Sequence, residues 1–116
     1  MKKILVAEDE EILRMLLCDT LEDDYDVVEA ENGLVAVQCI QNESFDLLVI
    51  DYMMPYYTGV EVIEQIRAKG ITTPILMLTA KTQEPDRQRA LDAGADYFMA
   101  KPFRPMELLE FIHSIV

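Results

Sequence analysis

Glu8-Asp9 and Asp51 stand far apart in the chain, each directly after a short apolar run, and Thr79 and Lys101-Pro102 come at the ends of two later runs. If those runs are parallel strands, the acids, the hydroxyl and the amine converge on one edge of a sheet. Carboxylates crowded in a low dielectric repel one another, so a fold tolerates such a cluster mainly when a cation sits among them. Hard divalent ions such as Mg²⁺ favour oxygen ligands of this kind and keep several waters. A metal beside a carboxylate, with a hydroxyl and an ammonium opposite, suits a phosphoryl group carried on that carboxylate.

Taken singly, each residue has a plainer reading. Glu8-Asp9 suits the N-terminus of a helix through its orphan amides and dipole. Lys101 reads as a surface lysine at a turn and Thr79 as an ordinary strand-end threonine. Asp51 shifts the balance, because it ends the most apolar run of the chain and is followed by Tyr52-Met53-Met54-Pro55, which supplies no basic partner. A buried acid needs a counter-charge from elsewhere. Lys101 is the obvious donor.

The elements that must position these groups follow from periodicity. Strands are expected over Ile4–Ala7, Asp26–Ala30, Phe45–Ile50, Ile75–Leu78 and Tyr97–Ala100. Helices are expected over Glu10–Leu21, Gly33–Gln41, Val60–Ala68, Pro85–Ala93 and Pro105–Ile115, with Asn32-Gly33, Gly59, Lys69-Gly70 and Gly94 punctuating the joins. Alternating apolar runs and helical segments are the signature of a parallel sheet covered by helices on both faces, an α/β fold.

With 116 residues, 51% of them hydrophobic, the chain builds one core and not two, so residues 1–116 are read as a single domain. Ten basic against 22 acidic residues give a formal charge of -12, which argues against direct binding of nucleic acid. No apolar stretch approaches the roughly 18 residues of a membrane helix, and Glu8 interrupts the first run before a signal sequence could form. A cytoplasmic location without membrane attachment is expected. Cys18 and Cys39 are widely spaced in helical patterns with no Cys-x-x-Cys, and read as reduced core thiols.

The joint pattern resembles the receiver domain of two-component response regulators along essentially the whole chain. The matching motifs are Glu8-Asp9-Glu10 after the first strand, Asp51-x-x-x-Pro55 with Gly59, Thr79-Ala80, and Lys101-Pro102-Phe103. The resemblance implies a flavodoxin-like five-stranded parallel sheet of order 2-1-3-4-5. It makes Asp51 the acceptor of a phosphoryl group from a histidine kinase or phosphotransfer histidine. Mg²⁺ would be held by Glu8, Asp9, the Asp51 carboxylate and the Met53 backbone carbonyl. Thr79 and Lys101 would contact phosphoryl oxygens, Ala80 would be small enough to admit the group, and Lys101-Pro102 would be a cis peptide. Such a protein catalyses only its own phosphorylation and dephosphorylation. Thr79 and the strand-5 aromatic Phe98 would form the conformational switch.

Four features depart from the usual pattern or bear on partners. Glu8 stands where aspartate is commoner, keeping the charge but lengthening the reach. Tyr56-Tyr57-Thr58 makes the loop after Asp51 unusually aromatic. Met53 and Lys81 occupy the positions that flank the water attacking an aspartyl phosphate in this family; neither orients that water well, which implies slow self-dephosphorylation. Helix 1 carries Ile12, Leu13, Met15, Leu16, Leu17, Cys18 and Leu21 around most of its circumference, more than one core-facing stripe requires. Leu13 and Leu16 are therefore candidates for docking a kinase or phosphotransfer protein, and the resemblance admits a homodimer through the last two βα units.

Two other classes fit less well. A haloacid-dehalogenase-type hydrolase, also Mg²⁺-dependent through an aspartyl phosphate, needs a second aspartate two residues after the nucleophile, where this chain has Met53. A nucleotide binder needs a glycine- and hydroxyl-rich loop after strand 1, where Glu8-Asp9-Glu10-Glu11 repels phosphate. An unphosphorylated interaction module is a third reading, against which the intact set of Asp51, Thr79 and Lys101 argues. The output is open between a single-domain regulator and a receiver preceding a carboxy-terminal effector.

Overall fold

The computed structural model describes residues 1–80 and 84–116. Five strands and five helices alternate: β1 (Lys3–Ala7), α1 (Glu11–Leu21), β2 (Asp26–Ala30), α2 (Gly33–Asn42), β3 (Leu47–Asp51), α3 (Gly59–Ala68), β4 (Ile75–Thr79), α4 (Glu84–Ala93), β5 (Tyr97–Ala100) and α5 (Pro105–Ile115). All neighbouring strands are parallel, in the order β2-β1-β3-β4-β5. The chain steps outward from β1 to β2, then crosses back to β3. The order therefore reverses between β1 and β3, where an open α/β sheet forms its ligand crevice.

The near-continuous apolar strands are explained by cover on both faces. Every residue of β3 and β4 is buried. Because successive side chains alternate, Ile4, Val6, Leu47, Val49, Leu76 and Leu78 pack beneath α1 and α5, while Leu5, Ala7, Leu48, Ile50, Ile75 and Met77 pack beneath α2, α3 and α4. Each such Leu or Ile contributes roughly 1.5–3 kcal/mol by its burial. α4 is the least anchored, with Ala90 its one buried residue.

β3 begins at Leu47, two residues later than the sequence pattern suggests. Asp46 explains the difference: its N–H donates to the Lys3 carbonyl at 2.8 Å and its carboxylate accepts the Lys3 N–H at 2.8 Å, so a side chain takes over the pairing there. At the other end, Asp51 and Thr79 are the last residues of their strands rather than the first of the following loops.

The joins above the sheet are held by specific caps. Asn32 accepts the Val35 N–H at 2.9 Å to start α2, and Thr58 and Glu61 exchange hydrogen bonds in a capping box at the start of α3. The Gly59 N–H donates to the Tyr52 carbonyl at 2.8 Å, and a Cβ there would lie 2.4 Å from the Asp51 carbonyl oxygen. A side chain at this position would displace the strand end that carries Asp51. Cys18 and Cys39 are free and half-buried; burial, with Glu29 beside it, pushes the Cys18 thiol up to about 12, which suits an inert packing role.

Candidate functional site

Sheet register brings the expected groups together at the carboxyl edge. Ala7 lies beside Ile50, Asp51 beside Leu78, and Thr79 beside Ala100, so Glu8, Asp51, Thr79 and Lys101 lie at or just beyond the carboxyl ends of four adjacent strands, stepping on by one residue from Asp51 to Thr79 and again to Lys101. Glu8 is fully buried, and Asp51 and Thr79 nearly so. The Lys101 ammonium bridges two of the acids, 2.8 Å from Asp51 Oδ1 and 3.0 Å from Glu8 Oε1. The counter-charge required for Asp51 is thus Lys101. The Lys101-Pro102 peptide is cis.

Glu8 is engaged on both carboxylate oxygens, since Oε2 accepts the Glu10 N–H at 3.1 Å. Burial is the largest influence on it and, with the nearby charge of Asp51, pushes its carboxyl up to about 7 against the opposing pull of the Glu10 N–H and Lys101. Asp51 is raised for the same first reason, burial, with Lys101 pulling the other way. Burial acts to lower the Lys101 ammonium, but its hydrogen bonds and charge attraction to Asp51 and Glu8 prevail and raise it.

The donor set fits a hard divalent cation. One carboxylate oxygen from each of Glu8, Asp9 and Asp51 lies within 4.8 Å of the others. Three carboxylates against one ammonium leave two negative charges when all are ionised, which an ion such as Mg²⁺ balances. An open cavity of about 530 Å³ adjoins the cluster, bordered by Asp9, Asp51, Met53, Thr79, Ala80 and Lys101. Met53 is 54% exposed at its rim.

The remaining expectations divide. Phe98 is half-buried against the core, with the Arg87 guanidinium 5.3 Å from its ring centroid. On α1, Leu16 is 43% exposed, but Ile12 at 84% and Met15 at 54% are more so. Leu13 is half-buried and borders an apolar hollow with Pro102 and Phe103. The position of Lys81 lies outside the described residues. Among the described residues, no helix is long and apolar enough to cross a membrane.

One residue of the site region was not singled out by sequence pattern. Arg14 Nη1 donates to the Glu8 carbonyl at 2.8 Å and its Nε to Glu29 Oε1 at 3.2 Å, with the side chain only 14% exposed. The available signal was a lone basic residue three positions after the acidic run Glu8-Asp9-Glu10-Glu11, about one helical turn on.

The family model for the response regulator receiver domain matches residues 4–113. The alkaline phosphatase synthesis transcriptional regulatory protein PhoP of Bacillus subtilis is 44% identical over 116 residues, covering 99% of this chain and 48% of that protein. The phosphate regulon transcriptional regulatory protein PhoB of Escherichia coli is 37% identical over 118 residues, covering 99% of this chain and 52% of that protein. The chain thus spans about half the length of the curated relatives it matches. Among solved structures, the chemotaxis protein CheY4 of Vibrio cholerae superposes with a TM-score of 0.93 at 34% identity, covering 100% of this chain and 99% of that one. The response regulator TrrA of Thermotoga maritima, in complex with Mg(2+)-BeF, gives a TM-score of 0.87 at 35% identity with full coverage of both chains.

Proposed function

The chain belongs to the response regulator receiver domain family, and from that premise we propose that Asp51 accepts a phosphoryl group from a phosphohistidine of a histidine kinase or phosphotransfer protein. The observation that carries this reading is Lys101 paired with Asp51 at 2.8 Å, beside the oxygen cluster of Glu8, Asp9 and Asp51. Mg²⁺, when bound by Glu8, Asp9, Asp51 and the Met53 carbonyl, supplies positive charge that offsets the charge of the transferring group. TrrA, solved with Mg(2+)-BeF on the same fold, supports that ligand class.

The chain's own residues do the rest by placement. An oxygen of Asp51 forms the new bond to phosphorus as the phosphorus–nitrogen bond of the donor imidazole breaks and its electron pair returns to the ring. Lys101, already poised at the Asp51 carboxylate, neutralises the phosphoryl oxygens, and Thr79 at the end of β4 hydrogen-bonds another. Ala80, bordering the cavity, leaves the approach open. The reaction is confined to the protein's own phosphorylation and dephosphorylation.

Signalling follows from the added charge, about -1.5 to -2 for an ordinary phosphoryl group at pH 7. Thr79 turning toward it vacates room into which Phe98 moves, and α4, held by one buried residue, yields to the change. Leu16 and the rim formed by Leu13 are the docking contacts for the phosphodonor, and the last two βα units are a surface for a homodimer. The whole of residues 1–116 acts as one receiver in the cytoplasm.

The direct test is intact mass after incubation with acetyl phosphate and Mg²⁺. Wild type should gain one acid-labile phosphoryl group, and Asp51→Asn none. Full labelling of Asp51→Asn would remove the assignment.

A further inference from the structure

We infer that Arg14 is a positioning residue for the acidic pair, fixing the peptide between Glu8 and Asp9 so that the Asp9 carboxylate faces the metal site; this rests on the metal reading above. The segment that carries the acids leaves β1 just as strand pairing ends, and its last sheet bond is from the Glu8 N–H to the Ala30 carbonyl at 3.0 Å. Beyond that point the backbone of Asp9 has to be held by something else. The start of α1 offers no side-chain cap, since Glu10 at that position makes none.

The Glu10 N–H held by Glu8 Oε2 at 3.1 Å is one such restraint, and Arg14 supplies a second that acts on the peptide itself. Its guanidinium closes on the Glu8 carbonyl at 2.8 Å, and because a peptide group is planar, holding that oxygen also holds the Asp9 N–H side of the bond. Rotation of this peptide would carry the Asp9 carboxylate away from Glu8 and Asp51. Glu29, beside Val6 in the sheet register, takes the Nε of the same guanidinium at 3.2 Å and so aims the fork. Arg14 thereby ties α1, the loop after β1 and β2 into one brace, while its own side chain stays largely buried.

The positioning role predicts an effect opposite in sign to that of its charge. A cation close to the acids repels Mg²⁺, so a purely electrostatic Arg14 would, on removal, let the metal bind more tightly. A positioning Arg14 would, on removal, weaken binding as outer-sphere partners of metal ligands do, by about tenfold or more. The two roles are separated by Arg14→Gln, which loses the charge but keeps an N–H donor for the Glu8 carbonyl.

The experiment is calorimetric Mg²⁺ titration of wild type, Arg14→Ala, Arg14→Gln and Asp9→Ala, with initial phosphorylation rates from acetyl phosphate measured across Mg²⁺ concentration. Arg14→Ala should bind Mg²⁺ about tenfold more weakly, Arg14→Gln should stay near wild type, and the rate of Arg14→Ala should recover at saturating Mg²⁺. Affinities of both Arg14 variants equal to or tighter than wild type would overturn the inference while leaving the metal reading intact. Failure of wild type to bind Mg²⁺, or unchanged binding in Asp9→Ala, would overturn the metal reading and this inference with it. Should Arg14→Ala not fold, Arg14→Met, which keeps an apolar stem of similar length but has no N–H donor for the Glu8 carbonyl, takes its place under the same criterion.

Discussion

Glu8 Oε1 and Lys101 Nζ lie 3.0 Å apart, joining the end of β1 to the turn after β5 across a carboxylate that no solvent reaches. The pair is incomplete as charge compensation, because Asp51 shares the same ammonium. Glu8 therefore holds its proton up to about pH 7 in the folded protein, burial being the main reason, whereas an unfolded glutamate releases it near 4.3.

A folded pKa above the unfolded one means that the native state binds the extra proton between those values, so the metal-free protein gains stability as pH falls from 8 toward 5 and loses it as pH rises through about 7. The expected change is roughly 2 kcal/mol over that interval. Asp51, also raised by burial, adds in the same direction, while the raised Lys101 acts only at alkaline pH. Urea unfolding in EDTA at pH 5.5 and 8 measures the slope. Glu8→Gln should remove most of it, and saturating Mg²⁺ should flatten it in wild type; a slope unaltered by Glu8→Gln would place the titrating group elsewhere.

Gly59 limits how the strand end carrying Asp51 can be altered. A methyl group at Gly59 would meet the Asp51 carbonyl oxygen at 2.4 Å and the Tyr52 Cα at 3.1 Å, and backbone cannot yield as the nearby Met77 methyl can. Gly59→Ala should cost about 1–3 kcal/mol and slow phosphorylation of Asp51 even where the protein remains folded. Urea midpoints and phosphorylation rates measured below the transition check both effects.

The sequence made the elements and the site legible through two regularities of unequal reach. Strands and helices emerged from periodicity because β3 and β4 are covered on both faces and read as unbroken apolar runs, while the helices keep an exposed polar side. The start of β3 escaped that signal, since Phe45 extends the apolar pattern back past Asp46, whereas Asp46 pairs through its side chain. Strand order has no local signature and came with the family resemblance. Asp51 and Lys101 were paired in advance by the electrostatic need of a buried acid. Arg14 was not, because an arginine within an acidic helical run looks the same whether it faces water or reaches a carbonyl. Nor was Arg67, which gathers the carbonyls of Ile71, Thr73 and Gly94 with the Asp96 carboxylate at the opposite edge of the sheet, contacts that no spacing rule anticipates.

Tyr56 adopts a φ of 70° in the loop between Asp51 and α3 while 75% exposed. A bulky residue in the left-handed region carries about 1 kcal/mol of strain, and so exposed a ring returns little by burial. Tyr56→Asn keeps the loop length and tolerates that conformation. It should raise the melting temperature slightly without changing Mg²⁺ affinity. A fall in stability would show that the ring makes contacts sufficient to outweigh the strain.

Met53 is expected to set the lifetime of the proposed phosphoryl group. Hydrolysis needs a water in line with phosphorus on the side away from the Asp51 oxygen, and Met53, two residues after Asp51 and at the rim of the same cavity, borders that approach. A thioether sulfur is a poor acceptor and holds no water in register, while its bulk narrows the entrance. Met53→Asn replaces it with an amide that both donates and accepts. Loss of phosphate from the purified protein should then quicken about tenfold, equivalent to roughly 1.4 kcal/mol of barrier, and Lys81→Glu combined with it should quicken loss further by giving the water a proton acceptor. The measurement is the decay of phosphorylated protein by intact mass after removal of the phosphodonor. A double variant that decays no faster than wild type would mean that water access does not limit the lifetime, and that the rate is set instead by how tightly Lys101 and Thr79 hold the phosphoryl oxygens.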